Sequence, residues 1–220
     1  MNRLICAWAA LALLLVPSVV GASVTLIVGT PADSLLAVPS GPSLVIGNQI
    51  NFDNLTPNST FDPNTYAAQG VTISSPDGLI VLPYSTQSFP NYLFDNSPDG
   101  TANITIALTN GTSEIGIGIA DSDDPANVTL QALGLGGVSL GSPFQVTIPE
   151  NTNNPGNGYF AIKDTSSDIY GLRITETDGG PNYSGLAIDD LQTAAVPEPA
   201  TLTLLGIGVV GLAAYRRRRG

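Results

Sequence analysis

The sequence predicts an all-β chain, an antiparallel two-sheet sandwich of jelly-roll type between a signal peptide and a C-terminal transmembrane helix. Three observations predict it. Strand-length runs of Val, Ile, Leu, Thr and Tyr recur through the body, several with an apolar residue at every second position. Pro, Asp, Asn and Gly punctuate these runs at short intervals, where they close turns. No stretch of the body carries a 3.6-residue apolar period long enough for an amphipathic helix. At roughly 145 to 170 residues the body is one domain, large enough to bury a useful core.

Taken in order, residues 1–22 read as a signal peptide. Arg3 is the positive flank, Leu4 to Val16 the apolar core, Pro17 its breaker, and Val20-Gly21-Ala22 a small-residue cleavage site. The mature chain is expected to start near Ser23. Residues 23–48 form a Ser-, Pro- and Gly-rich leader containing Val24–Val28 and Leu44–Ile46, which either adds an edge strand or stays a loose leader. The sandwich is assigned to 49–192. Its expected strands are Ile50–Leu55, Gly70–Ser74, Leu79–Leu82, Ile104–Leu108, Glu114–Ala120, Val128–Leu133, Phe144–Pro149, Tyr159–Lys163, Ile169–Thr175 and Leu186–Leu191. Turns are expected at Pro76-Asp77-Gly78, Pro98-Asp99-Gly100, Asn110-Gly111 and Asp178-Gly179-Gly180, because Gly and Asn tolerate positive φ and Asp caps its own backbone. In the clearest strand, Ile115, Ile117 and Ile119 alternate with Gly116, Gly118 and Ala120, so that one face is bulky and the other nearly bare.

The chain closes on three signals in fixed order across 193–220: Val196-Pro197-Glu198-Pro199, an uncharged apolar run to Tyr215, and Arg216, Arg217, Arg218 and Arg219. From Ala200 the run makes roughly 24 Å of helix at about 1.5 Å per residue. That is short of a full bilayer span, which the snorkelling arginine stems can lengthen. Four arginines directly behind an apolar segment hold that end in the cytoplasm, as a membrane stop. With Arg3 on the same side, everything between the two ends is exported.

This tail resembles the PEP-CTERM sorting signal of exported bacterial proteins. The resemblance implies an exosortase-type processing enzyme acting at the Pro-Glu-Pro motif. It also implies transient anchoring in the inner membrane, then delivery to the cell surface or extracellular matrix.

Composition removes whole classes of chemistry from the body. Cys6 and Trp8 both lie in the signal peptide, so the mature chain has neither disulfides nor a thiol nucleophile. There is no histidine, which removes Ser-His-Asp and Cys-His catalysis and disfavours zinc and copper sites. Only Lys163 and Arg173 are basic between Ser23 and Ala195, in a chain of formal net charge −11. With no basic stripe to displace phosphate counterions, the body is unsuited to nucleic acid. It is suited to divalent cations and to solubility outside the cell.

Calcium is the cofactor this composition favours, because it takes six to eight oxygens from carboxylates, amides and carbonyls. One candidate set is Asp53 with Asp189 and Asp190; the alternative is Asp121, Asp123 and Asp124 in the loop after a strand. Asp95-Asn96-Ser97-Pro98-Asp99-Gly100 has the look of a cation loop without the full EF-hand pattern. Each can equally be a solvated turn in which Asp caps the backbone.

The opening Ile50-Asn51-Phe52-Asp53-Asn54-Leu55 and the closing Leu186-Ala187-Ile188-Asp189-Asp190-Leu191 are similar to the first and last strands of extracellular jelly-roll modules. These include MAM-type domains and calcium-bearing carbohydrate-binding modules. The resemblance implies that the two strands lie side by side and that their acids hold a structural cation. Asn54 stands where such openings often carry a second acid.

The function expected from the sequence is that of an exported, non-enzymatic surface or matrix protein, structural or adhesive. Two rivals remain: a carbohydrate-binding module for exopolysaccharide, and a glycoside hydrolase using two carboxylates. The first expects Tyr66, Tyr84, Tyr92, Tyr159 or Tyr183 on one concave face, and the second a pair of acids facing across a cleft.

Overall fold

The computed structural model describes residues 23–28, 46–83, 91–95, 97–98, 101–121, 126–148, 156–166, 168–176 and 186–194. The residues read as a signal peptide, the sorting motif, the apolar tail and its arginines lie outside them. Among the described residues no helix is long and apolar enough to cross a membrane. Helix is confined there to two 3-10 turns, Ala67–Gln69 and Leu135–Gly137.

Among the described residues thirteen strands follow in chain order: β1 (Val24–Val28), β2 (Ile46–Ile50), β3 (Ser59–Thr60), β4 (Val71–Ser74), β5 (Leu79–Pro83), β6 (Asn91–Asp95), β7 (Asn103–Thr112), β8 (Glu114–Asp121), β9 (Ala126–Leu133), β10 (Phe144–Ile148), β11 (Gly156–Asp164), β12 (Ile169–Glu176) and β13 (Ala187–Ala194). They make two antiparallel sheets. The large sheet runs β1-β11-β8-β13-β6-β5-β3, with β2 also paired to β13, and the small sheet runs β10-β9-β12-β7-β4. The chain is an all-β sandwich, as the alternation predicts.

The inner faces follow the period of two. Ile115, Ile117 and Ile119 of β8, Ile104 and Ile106 of β7, and Val128 and Leu130 of β9 are fully buried. They belong to one continuous core that also takes in Phe52, Ile73, Leu93, Ile148, Leu172 and Ile188. At about 25 cal/mol per Å2 of apolar surface, burial of this kind is the main stabilising term of a domain without disulfides.

The structure departs from the expected elements in three places. The opening strand is Ile46–Ile50 rather than Ile50–Leu55. Asn51 to Leu55 is a turn, closed by the Leu55 amide donating to the Phe52 carbonyl at 3.0 Å and by Asn51 Nδ2 donating to Asp53 Oδ2 at 3.1 Å. Asn and Asp offer the backbone local partners that compete with a sheet ladder, which is why an apolar-looking hexapeptide turns instead. Asn110-Gly111 is not a turn but part of β7. Between the pairs Ile169↔Thr112 and Gly171↔Ala107 the register slips, and Asn110-Gly111 sits in the irregular stretch of β7. β3 and β6 go unforeseen, since Ser59-Thr60 and Asn91–Asp95 are too short or too weakly alternating to stand out. Of the two readings of the leader the structure takes the edge strand: Val24–Val28 lies at the edge of the large sheet, registered on Phe160–Asp164 of β11.

Gly171, at the slip, is held by geometry. A Cβ there would overlap the Ile106 carbonyl oxygen on the neighbouring strand, and backbone cannot yield as a side chain can. Gly171→Ala is expected to destabilise the fold by about 1–3 kcal/mol. Urea unfolding would measure it, and an unchanged midpoint would show that β7 and β12 can separate locally at no cost.

Candidate functional site

The candidate site is built where β13 passes between β2 and β8. β13 pairs with β2 through Leu191↔Ile50 and Gln192↔Gln49, so the first strand of the sandwich body and its last lie side by side. On its other side β13 pairs Asp189 with Gly118 and Gln192 with Gly116. Three residues advance on β13 while two advance on β8, so β13 carries one extra residue. Asp190 takes it up, with φ of 48°. A regular strand sends successive side chains to opposite faces, whereas a bulge re-aims them. Here the bulge buries both carboxylates: Asp189 is 1% exposed and Asp190 6%.

The Asn51–Leu55 turn packs against them. The Phe52 amide donates to the Asp189 carboxylate, and the Asp190 amide donates to Asp189 Oδ1 at 2.7 Å. Gln49 Nε2 reaches Asp190 Oδ1 at 3.5 Å. Asp53 is exposed but lies close enough to raise the pKa of both buried acids. Asn91 Nδ2 holds the turn from the other side, donating to the Leu55 carbonyl at 2.7 Å and the Asp53 carbonyl at 3.3 Å. The Tyr66 hydroxyl lies 3.2 Å from Asn54 Oδ1 and 3.3 Å from the Asn51 carbonyl.

Electrostatically this is a crowded site. Burial pushes the Asp189 carboxyl up to about 8, with Asp190 and Asp53 adding to the effect against the two amide hydrogen bonds. Burial likewise pushes Asp190 up to about 6, with Gln49 opposing and Asp53 reinforcing. Burial also raises Asp53. An ionised carboxylate in such a place needs a proton or a cation. Among the described residues no basic side chain pairs with either acid; Lys163 Nζ instead lies 3.9 Å from Glu114 Oε2.

The bare face of β8 has a reason here. Any Cβ on Gly116 would overlap the Tyr159 ring, so the glycine makes room for that ring on the outer side of the large sheet. The Tyr159 hydroxyl donates to Gln192 Oε1 at 3.1 Å, and burial together with Glu114 and Asp190 holds its pKa well above the ordinary phenol range.

The structure therefore gathers Asp53, Asp189 and Asp190 at one place. Among the described residues, no group of three or more Asp or Glu side chains forms a ready metal cage by itself. The further oxygens would have to come from Asn side chains and turn carbonyls. Of the alternative set, Asp121 ends β8, while Asp123 and Asp124 lie outside the described residues. Asp95 has a structural task, accepting hydrogen bonds from Ser75 Oγ at 3.0 Å and from the Asn103 amide at 2.9 Å. Sequence reading overlooked Gln49, Asn91 and the Phe52 amide, since amides and backbone donors have no compositional signature.

Among the described residues, Tyr66, Tyr92 and Tyr159 do not form a platform. Tyr66 is buried against Phe52 and Phe61, with ring centroids 5.9 and 6.2 Å away, while Tyr159 is buried beside Gln192. Tyr92 is half-buried on β6, and Tyr84 and Tyr183 lie outside the described residues.

A second feature lies on the outer face of the small sheet. A shallow depression of about 540 Å3 is lined by Ser74, Ser75, Pro76, Asn103, Thr105, Arg173 and Thr175. Register places Arg173 opposite Thr105, Thr175 opposite Asn103, and Ser74 opposite Thr105 on its other side.

Residues 195–219 match the PEP-CTERM protein-sorting motif. A search of curated proteins finds no match. Among solved structures the fold is similar to CBM35 from Paenibacillus barcinonensis, at 13% identity and a TM-score of 0.37, over 68% of this chain and 100% of that one. It is also similar to the C-terminal family 22 carbohydrate-binding module of Clostridium thermocellum Xyn10B, at 13% identity and a TM-score of 0.35, over 65% of this chain and 100% of that one. A third likeness is to the enzymatically active domain of bacteriophage CBA120 tailspike protein 4, at 14% identity and a TM-score of 0.38. It covers 63% of this chain and only 21% of the tailspike. At this identity and overlap the likenesses assign no ligand and no activity.

Proposed function

We propose that this chain is an exported, non-enzymatic protein of the cell surface or extracellular matrix, structural or adhesive, delivered through its PEP-CTERM tail. The observation that carries the reading is the sorting-motif match at 195–219, which begins one residue after β13 ends at Ala194. The tail supplies the address and implies processing by an exosortase-type enzyme, and the acidic sandwich is the cargo. Two features support a non-enzymatic body. The carboxylates of the β13 bulge are closed off from solvent, and among the described residues no carboxylate lines the depression on the small sheet.

Replacing Pro197, Glu198 and Pro199 with alanine is expected to leave export intact and to trap the protein in the inner membrane, since the apolar run and Arg216 to Arg219 still stop transfer. Fractionation and blotting read the outcome. Equal delivery of the variant to the surface would overturn the sorting role.

We further propose calcium as a structural cofactor at Asp53, Asp189 and Asp190. Two buried carboxylates whose one side-chain donor among the described residues is an amide at 3.5 Å support this reading. The ion would fasten the opening turn to the closing strand. The carbohydrate-binding reading is favoured by a different observation, the hydroxyl- and amide-lined depression around Arg173.

A further inference from the structure

We propose that the depression around Arg173, on the outer face of the small sheet, binds a polysaccharide that carries carboxylate groups. This rests on the adhesive reading above and names the ligand class and the place.

The chain has 18 acidic residues and a net charge of −11, yet among the described residues no carboxylate lines the depression itself; exposed Asp77 follows Pro76 in the β4–β5 turn, and buried Asp95 is bonded to Ser75. Among the described residues the outward positions of β4, β7, β9, β10 and β12 are almost all Ser, Thr, Asn or Gln, and Arg173 is their single charge. Arg173 is exposed, and among the described residues no carboxylate forms an ion pair with it. Arg173 stands in a lining free of carboxylates, where an anion meets less repulsion than beside the acids of the β13 bulge. Its guanidinium fork matches a carboxylate in a bidentate pair. Around it Ser74, Thr105, Thr175 and Asn103 present hydroxyls and an amide, which suit the ring hydroxyls of a sugar.

The edge of the depression is held in place. Buried Asp95 accepts from the Ser75 hydroxyl and the Asn103 amide, joining the β4–β5 turn to the start of β7. A lining fixed in this way loses little conformational freedom when ligand binds. The depression is shallow and open and has no aromatic ring in its lining, which suits one residue of an extended chain better than a small molecule needing enclosure.

The test uses the full chain purified in detergent, with polygalacturonate as probe and pullulan as the neutral control. Both are followed by affinity electrophoresis and calorimetry in chelator, so that no calcium bridges acid to acid. The protein is expected to retain on polygalacturonate and not on pullulan, with affinity falling as salt rises. Arg173→Gln is expected to weaken binding about tenfold or more, the loss of a charge-assisted pair. Arg173→Lys should fall between, keeping the charge without the fork. Melting of both variants at the native temperature would show that the fold is intact. Equal binding of the two polymers, no binding to polygalacturonate, or full affinity in Arg173→Gln would each overturn the proposal. None of these results touches the sorting of the tail, which is read separately by fractionation.

Discussion

Millimolar calcium is expected to raise the melting temperature of the protein, and chelator to lower it. The cause lies at the β13 bulge, where folding brings Asp189 and Asp190 out of water and close to Asp53. A cation bound only by the folded state stabilises by about 2.7 kcal/mol at 100 times its dissociation constant. For a domain of this size that corresponds to roughly 5–10 °C. Without calcium the same acids make stability depend on pH in a defined direction. Both are raised in the folded state, Asp189 to about 8 and Asp190 to about 6, from an ordinary 3.8. Between those values the folded protein holds protons that the unfolded chain releases. In chelator, stability should therefore be greatest near pH 4 and fall as pH rises toward 8. Near neutrality the slope is on the order of 1 kcal/mol per pH unit. Tyr66 and Tyr159, also raised, stay neutral throughout and do not blur this window. Replacing both Asp189 and Asp190 with Asn should flatten the pH dependence and abolish the calcium response. It should also leave the calcium-free protein at least as stable as the native one, because no uncompensated charge is then buried. A native melting temperature indifferent to calcium would remove the ion from this site. A response that persists in the variant would move it elsewhere, to Asp121, Asp123 and Asp124.

Phe52→Ala is expected to have the largest effect of any single truncation near the site. The ring is fully buried, lies edge-on to Phe61 at 6.4 Å and tilted to Tyr66 at 5.9 Å, and joins the main core. Loss of such a ring costs about 3–5 kcal/mol, since the cavity refills only in part. The melting temperature should fall by about 10 °C. Because the Phe52 amide also donates to Asp189, a turn that has lost its anchor should respond to calcium more weakly. Phe52→Leu, which keeps most of the volume, should recover much of both. Calorimetric melts with and without calcium measure the pair. A full calcium response in Phe52→Ala would show that the turn holds its shape without the ring.

The sandwich was legible in the sequence where one face is buried and the other wet. Ile115, Ile117 and Ile119 alternate with glycine and alanine and are all buried, and the strands around them follow the expected spans within a few residues. It was illegible where strands owe their place to partners. Asn91–Asp95 becomes a strand by pairing with β5 and β13, and neither pairing is visible in five residues. The turn at Asn51 was misread because its apolar members, Phe52 and Leu55, look like strand residues when they are anchors of a loop. The same error had a useful outcome, since the resemblance to jelly-roll openings still placed Asp53 beside Asp189 and Asp190. The bulge that buries both carboxylates was out of reach, because Asp190 at positive φ leaves no trace in the order of residues.

β13 is the last strand of the sandwich and lies inside the large sheet, bonded to β8 on one side and to β2 and β6 on the other. A pull on the tail that carries the sorting motif, as the proposed membrane anchoring would exert, would therefore load an inner strand along its length. It would have to shear both ladders at once rather than unzip an edge one bond at a time. A body tethered in this way should tolerate tension while the tail is still anchored. The same placement makes the chain wait for its end. The ladders on either side of β13 cannot close until residues 187–194 have emerged, just ahead of the residues that carry the sorting address.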